Sequence, residues 1–196
     1  MVEKNNKNIV KAMLIAVGEN PNREGLKETP ARVVKSWKEL FRGYDKSLKP
    51  NVTIFKNGSD GIVYDEMITD TGDFYSQCEH HIIPFYGRYW FAYIPHPKGN
   101  ILGLSKVARV VDYHSAKLQI QERLVHDITE QLWEALCKGS KYKPIAMGFV
   151  MEGEHLCKTM RGVKKKGKMR TTELRGTIKT NASVRSEFLD VVNNKQ

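Results

Sequence analysis

Cys78, Glu79, His80 and His81 stand at four consecutive positions in the stretch YSQCEHHIIPF, and apolar residues follow at once. A thiolate and an imidazole three positions apart are ligands that zinc takes, and a catalytic zinc has three protein ligands with its fourth position left to water. The third must come from elsewhere in the chain. EHLCKTM supplies it in Cys157, with His155 two positions earlier. The segment reads as a strand, in which residues two apart face the same side, so His155 and Cys157 are expected to point into one site. Three of the six histidines and two of the three cysteines fall in these two short clusters. A lone cysteine is more often a core residue, and one C-x-x-H pair is a weak signal. The clustering is what favours a metal, and it does not separate structural from catalytic zinc. Glu79 reads either as a carboxylate that orients an imidazole ligand or as an ion-pair partner for one of the many lysines. His80 reads as a proton shuttle or as a satisfied core histidine, and residue types alone favour the second.

Other groups suit an anion. LGLSKVARVV sets Ser105, Lys106 and Arg109 at a helix start, where free backbone N–H groups and the helix dipole favour phosphate. Lys106 and Arg109, three apart, share a helix face. RGVKKKGKMR adds Arg161, Lys164, Lys165, Lys166, Lys168 and Arg170, a run that reads as a solvated loop or as a non-specific nucleic-acid contact. In LQIQERL, Gln121 and Glu122 head another helix, where the dipole favours a carboxylate whether or not it has a further task.

The elements that must position these groups follow from periodicity. Ile9, Val10, Met13, Leu14 and Val17 recur at helical spacing up to Asn20-Pro21. In a second helix Thr29 is the predicted cap, Pro30 the first helical position and Gly43 the stop, with Val33, Val34, Trp37, Leu40 and Phe41 as its apolar face. Residues 62–97 read as strands in IVYDEMIT, FYSQC and FYGRYWFAYIP, closed by Pro95, Pro97 and Gly99. After the run ILGL at 101–104, Ser105 is a predicted cap for a helix to about 116. Residues 121–138 form another, with Leu124, Ile128, Leu132 and Leu136 at i+4 spacing and Gly139 as the stop. Strands return in IAMGFVMEG, HLCKTM and TTELRGTIKT, and a short helix over 184–192 follows. Consecutive strands joined by short turns imply antiparallel pairing, so the expected class is α+β with two helices on one face of the sheet.

The 196 residues suffice for one sizeable core, and Lys and Arg outnumber Asp and Glu by 32 to 22, a net charge of +10 that points to an anionic partner. Nothing approaches a membrane span or a signal-peptide pattern, and three scattered cysteines are not a disulfide framework, so a cytoplasmic protein with reduced thiols is expected.

GLKETPARVVKSWKELFRGY, YSQCEHHIIPF, LGLSKVARVV, LQIQERL and EHLCKTMRGV, in this order across about 25–192, resemble the GTP cyclohydrolase I family. The resemblance implies a tunnelling fold, in which paired strands flank two helices and subunits close their sheets into a barrel. It implies an N-terminal helical segment over 1–60 and a catalytic domain over 61–196. It implies Zn2+ held by Cys78, His81 and Cys157, with His80 and His155 as the proton-transfer pair. Glu122, helped by Gln121, would anchor the guanine of GTP, and Ser105, Lys106, Arg109 and Arg161 would hold ribose and triphosphate. Active sites would lie at subunit junctions of a homodecamer, with neither nucleic acid nor membrane as partner. The implied reaction hydrolyses GTP at purine C8, releases formate and yields 7,8-dihydroneopterin triphosphate, the entry to pterin, folate or 7-deazaguanine synthesis. One departure is that the family follows M-R-G-V with a Ser/Thr-rich segment, whereas KKKGKMRTTELRG keeps only Thr171 and Thr172 of that character.

Two rivals explain less. A basic, zinc-stabilised nucleic-acid-binding module accounts for the charge but leaves His80, His155 and Glu122 without roles. A relative acting on another purine or pterin through a catalytic cysteine leaves the three-ligand set unexplained.

Overall fold

PFYGRYWFAYI alternates bulky side chains about its backbone and forms the middle strand of the main sheet. The computed structural model describes residues 2–103 and 105–193. The first half comprises α1 (Val2–Ala16), α2 (Thr29–Leu40), β1 (Ile54–Lys56), β2 (Ile68–Cys78), β3 (Pro84–Ile94) and β4 (Asn100–Leu102). Then come α3 (Lys106–Ser115), β5 (Leu118–Gln119), α4 (Gln121–Cys137), β6 (Ala146–His155), α5 (Leu156–Thr159), β7 (Lys168–Gly176), α6 (Thr177–Thr180) and α7 (Ala182–Asn193). Five strands pair in the order β5-β2-β3-β6-β7, all antiparallel except β5, which runs parallel to β2. The class is α+β, as expected.

One face of the sheet carries Phe74, Phe85, Tyr89, Phe91, Tyr93, Met147, Phe149 and Met151, buried against α3 and α4. Leu124, Ile128, Leu132 and Leu136 are each at most 1% exposed. Burial of each contributes about 1.5–3 kcal/mol, so the i+4 stripe clamps α4 to the sheet and thereby fixes Gln121 at its start. The other face is covered only towards one end, where Phe188 and Val192 of α7 and Ile178 of α6 pack on Ala92, Ala146 and Val150. Gly148 admits Phe188 there, since a Cβ would sit 2.6 Å from its ring. The helices therefore do not all lie on one face.

Several local expectations differ from the structure. IVYDEMIT is extended only from Ile68, because the Tyr64 backbone pairs with the Asn57 side-chain amide, donating to Oδ1 at 2.9 Å and accepting from Nδ2 at 2.6 Å. HLCKTM is not a strand: β6 ends at His155 and Cys157 lies in the helical turn of α5. In the N-terminal region the last helical turn ends at Leu48, and β1 pairs with β4, Phe55 opposite Ile101; both strands are too short to show a period. Leu104 of the run 101–104 lies outside the described residues. Neither predicted cap closes a cap bond. Thr29 is already inside α2, and Ser105 has a helical backbone (φ −72°, ψ 0°) instead of the extended one from which a side chain reaches back. Gly43 lies beyond the end of α2 and serves a close approach, since its N–H donates to the Ala116 carbonyl at 2.8 Å and a Cβ would meet the Tyr113 carbonyl at 2.3 Å. In α1 only Val10 and Leu14 of the apolar stripe are buried, while Ile9, Met13 and Val17 are exposed. No helix of the described residues is long and apolar enough to cross a membrane.

Candidate active site

Cys78 is the last residue of β2 and is buried; the chain turns sharply after it and returns as β3. The turn is closed by backbone bonds from the Cys78 N–H to the Ile83 carbonyl at 2.9 Å and from the Ile82 N–H to the Cys78 carbonyl at 2.8 Å. Closing it puts Ile82 at φ 54°. A β-branched side chain rarely adopts that region, and such strain costs about 1–3 kcal/mol and gathers at functional sites. The Glu79 N–H donates to the Gln119 carbonyl at 3.1 Å, and the Glu79 carboxylate pairs with Arg123. Arg123 in turn donates through Nε to Gln119 Oε1 at 2.9 Å, and Gln119, 1% exposed, donates to the His114 carbonyl at 3.1 Å. The Arg123 guanidinium holds the Glu79 carboxyl below the usual carboxylate value. Of the two readings of Glu79, the ion pair is thus realised, with an arginine and not a lysine.

The turn delivers Cys78 and His81 to Cys157, and the ligand atoms of the three all lie within 4.8 Å of one another. Cys78 Sγ is 3.9 Å from His81 Nδ1 and 3.8 Å from His80 Nδ1, so distance to Cys78 does not choose between the imidazoles. Among the described residues only His81 completes a group of three with Cys157. Zinc bonds of about 2.3 Å to sulfur and 2.0–2.1 Å to nitrogen at tetrahedral angles separate two ligand atoms by about 3.5–3.8 Å, against 3.9 Å between Cys78 Sγ and His81 Nδ1. Burial, with the Cys78 thiol beside it, pushes the Cys157 thiol up from its ordinary value. A dication between the two sulfurs reverses that preference and favours both thiolates. The donor set fits zinc.

His155 and Cys157 do not point into the site as strand neighbours. His155 lies opposite Phe85 in the β3–β6 ladder and stacks on it, ring centroids 4.5 Å apart and planes at 6°. Its Nε2 lies 3.0 Å from Gln121 Oε1. Burial draws its pKa below the ordinary imidazole value, with nearby Glu122 opposing and Lys158 reinforcing. Gln121 is 1% exposed, and its amide nitrogen donates to Met151 O at 2.9 Å, Met169 O at 3.0 Å and Thr171 Oγ1 at 2.9 Å. Glu122 beside it is exposed, as are His80 and Arg161.

Ser105, Lys106 and Arg109 are not brought to this centre. Ser105 and Lys106 line a groove of about 790 Å³ with Asp70, Gly72, Asp73 and Tyr89. From Asp73 to Cys78 is five residues of strand, roughly 16 Å at 3.3 Å per residue. The triphosphate-type cations thus divide, with Arg161 near Cys157 and Lys106 towards the other end of β2. In the basic run, Lys168 and Arg170 pair with Glu152 at 2.9 and 3.0 Å, which leaves the exposed charges of Lys164, Lys165 and Lys166 to the loop. Sequence reasoning missed Phe85, Arg123, Gln119 and Thr171. Phe85, Gln119 and Arg123 stand inside the motifs YSQCEHHIIPF and LQIQERL, and Thr171 is a remnant of the expected Ser/Thr segment, but no residue type among them pointed to a role.

The family profile described as GTP cyclohydrolase I matches residues 6–193. The relative named GTP cyclohydrolase 1 from Caldanaerobacter subterraneus subsp. tengcongensis is 43% identical over 191 residues, covering 97% of this chain and 96% of its own length. Its namesake from Thermoanaerobacter pseudethanolicus is 41% identical over 97% of this chain and 96% of its own length, and that from Coxiella burnetii 43% identical over 93% and 95%. The match runs through the N-terminal helices and the sheet alike, and with it the Cys78 turn and the Gln121 helix start acquire a family: the chain belongs to the GTP cyclohydrolase I family.

Proposed function

We propose that this protein opens the purine of GTP at C8, releases that carbon as formate and forms 7,8-dihydroneopterin triphosphate, the first step of pterin, folate or 7-deazaguanine synthesis. The observation that carries the reading is the Cys78, His81 and Cys157 group beside a half-buried His155 stacked on Phe85. Zn2+ bound by those three residues would supply Lewis acidity to the site. Glu122 is exposed at the head of α4, where its carboxylate accepts the paired N–H donors of a guanine edge, which adenine lacks. His155 takes up a proton from the water that attacks C8 and passes it to the purine imidazole-ring nitrogen as C8 becomes tetrahedral, and the more exposed His80 carries a proton as the ring opens and formate departs. An Amadori rearrangement of the ribose and ring closure complete the product.

Ser105, Lys106, Arg109 and Arg161 neutralise the triphosphate in this reading, so the excess positive charge is directed at a nucleotide and not at nucleic acid. Because Ser105 and Lys106 lie towards the other end of β2 from Cys78, we assign the complete site to a junction between copies of this chain, in a tunnelling-fold homo-oligomer, a decamer by family resemblance. Residues 61–196 form the catalytic unit and 1–60 an N-terminal segment, and the free thiols suit the cytoplasm.

The test is incubation of zinc-loaded protein with GTP, followed by oxidation and detection of the fluorescent pterin. A pterin that forms from GTP, is absent with ATP and disappears with a chelator is the expected result. No pterin under any metal condition overturns the reading.

A further inference from the structure

Gln121 raises a question that its place at a helix start does not answer. Its side chain is enclosed, and both its amide nitrogen and its amide oxygen are engaged before any substrate arrives. Met151 O and Met169 O are carbonyls, which only accept, so the atom facing them at 2.9 and 3.0 Å is the amide nitrogen. The amide orientation is therefore fixed by its partners, and the oxygen faces His155 Nε2 at 3.0 Å. An amide oxygen only accepts. The ring must carry its proton on Nε2, and in the neutral imidazole Nδ1 is left with the free lone pair.

Gly153 makes room for the arrangement, since a Cβ there would sit 2.6 Å from Gln121 Oε1. Thr171, opposite Met151 in the β6–β7 ladder, brings its hydroxyl to the amide at 2.9 Å. The Phe85 stack fixes the plane of the ring while the amide fixes its rotation within that plane.

We propose that Gln121 is a positioning residue, whose locked amide sets the tautomer and rotation of His155 so that Nδ1 is the atom that exchanges the proton with substrate. It makes no side-chain contact with guanine, which is left to Glu122. The idea rests on the reading of His155 as a proton-transfer residue. A serine-protease aspartate that holds its histidine in one tautomer is the nearest general precedent for the size of such an effect, about 10⁴-fold in kcat; an uncharged amide is expected to give less, about 10²-fold.

The test combines ring-nitrogen NMR of the zinc-loaded protein, labelled at histidine, with steady-state kinetics. His155 is assigned by the signals that vanish in His155→Ala. In the wild type without GTP, at a pH where the ring is neutral, Nε2 should show the protonated type of shift and Nδ1 the unprotonated type. Gln121→Met should mix the tautomers and lower kcat about 10²-fold with KM changed less than about threefold. Thr171→Val should move both readouts the same way and less far, and Thr171→Ser should restore them. A proton on Nδ1 in the wild type overturns the proposal, and that measurement needs no turnover and, beyond His155→Ala for the assignment, no variant. A Gln121→Met enzyme with unchanged kcat and a KM raised tenfold also overturns it, in favour of a guanine contact. If the wild type lacked turnover yet showed the Nε2–H ring, the assigned reaction would fail while the positioning geometry stood.

Discussion

His155 and His114 are held by the same device in two regions of the molecule. In each, a glutamine amide is anchored through its nitrogen on a backbone carbonyl and turns its oxygen to imidazole Nε2. Gln121 is anchored on Met151 O and Met169 O and meets His155 at 3.0 Å; Gln131 is anchored on Pro50 O at 3.0 Å and meets His114 at 2.7 Å. The difference lies at the other nitrogen. His114 is 7% exposed between α3 and α4, and its Nδ1 is buried without a hydrogen-bond partner among the described residues, 3.8 Å from Asp127 Oδ2. His155 is only half-buried, with Cys157 two residues away and the Glu122 charge close enough to act on it. One pair ties two helices together, and the other leaves an oriented imidazole beside a metal-type ligand set. A positioned histidine is thus not in itself a catalytic one; what its second nitrogen faces decides.

The comparison breaks most visibly on removing the two rings. His155→Ala should keep its zinc and its melting temperature while kcat falls about 10²–10⁴-fold, whereas Cys157→Ala should lose zinc and turnover together. Equal loss of metal in the two variants would contradict the division of roles. His114→Ala should do the reverse, lowering stability by about 2 kcal/mol, read as a lower urea midpoint, with kcat per folded protein within about threefold. A His114 variant of normal stability but low kcat would erase the distinction. Next in size is the link between the regions. Arg123→Ala removes the ion pair that braces the Cys78 turn through Glu79 and should weaken zinc about 10–100-fold in a chelator competition. Unchanged affinity would reduce that pair to a surface contact.

The smallest effect is a pH dependence. Burial holds the His114 pKa below the ordinary imidazole value, with Gln131 opposing and Lys117 reinforcing. The unfolded chain takes up that proton near pH 6.5, so the contribution of neutral His114 to stability is full above that pH and declines as pH falls below it. The urea midpoint should therefore drop between pH 7.5 and 5.5, and less so in His114→Gln. An equal drop in both proteins would place the acid sensitivity elsewhere.

What could be read in advance follows the range of the interactions. The ligand turn is contained within a few residues, and Cys157 stands out by residue type, so the metal group was legible from clusters and spacing. The α4 stripe was equally legible, since its period lies in a single element. The Phe85–His155 stack and the Thr171–Gln121 bond depend on which residues stand opposite in the β3–β6 and β6–β7 ladders, and nothing local in the chain encodes that register. Gln121 was assigned to the guanine by family resemblance, as a helper of Glu122, yet the strands laid against α4 enclose its side chain. Cys157 was placed on a strand because HLCKTM is short and apolar enough for either state, and the helical turn of α5 is what the tertiary structure selects.

The most direct measurement follows the carbon atom itself. Zinc-loaded protein is given GTP labelled with carbon-13 at C8, and the label is traced by NMR. The account predicts that it leaves the nucleotide as formate, one per GTP consumed, and that His155→Ala with a full complement of zinc slows its departure at least about 10²-fold. Label retained in the purine, or released at an unchanged rate by that variant, would contradict it.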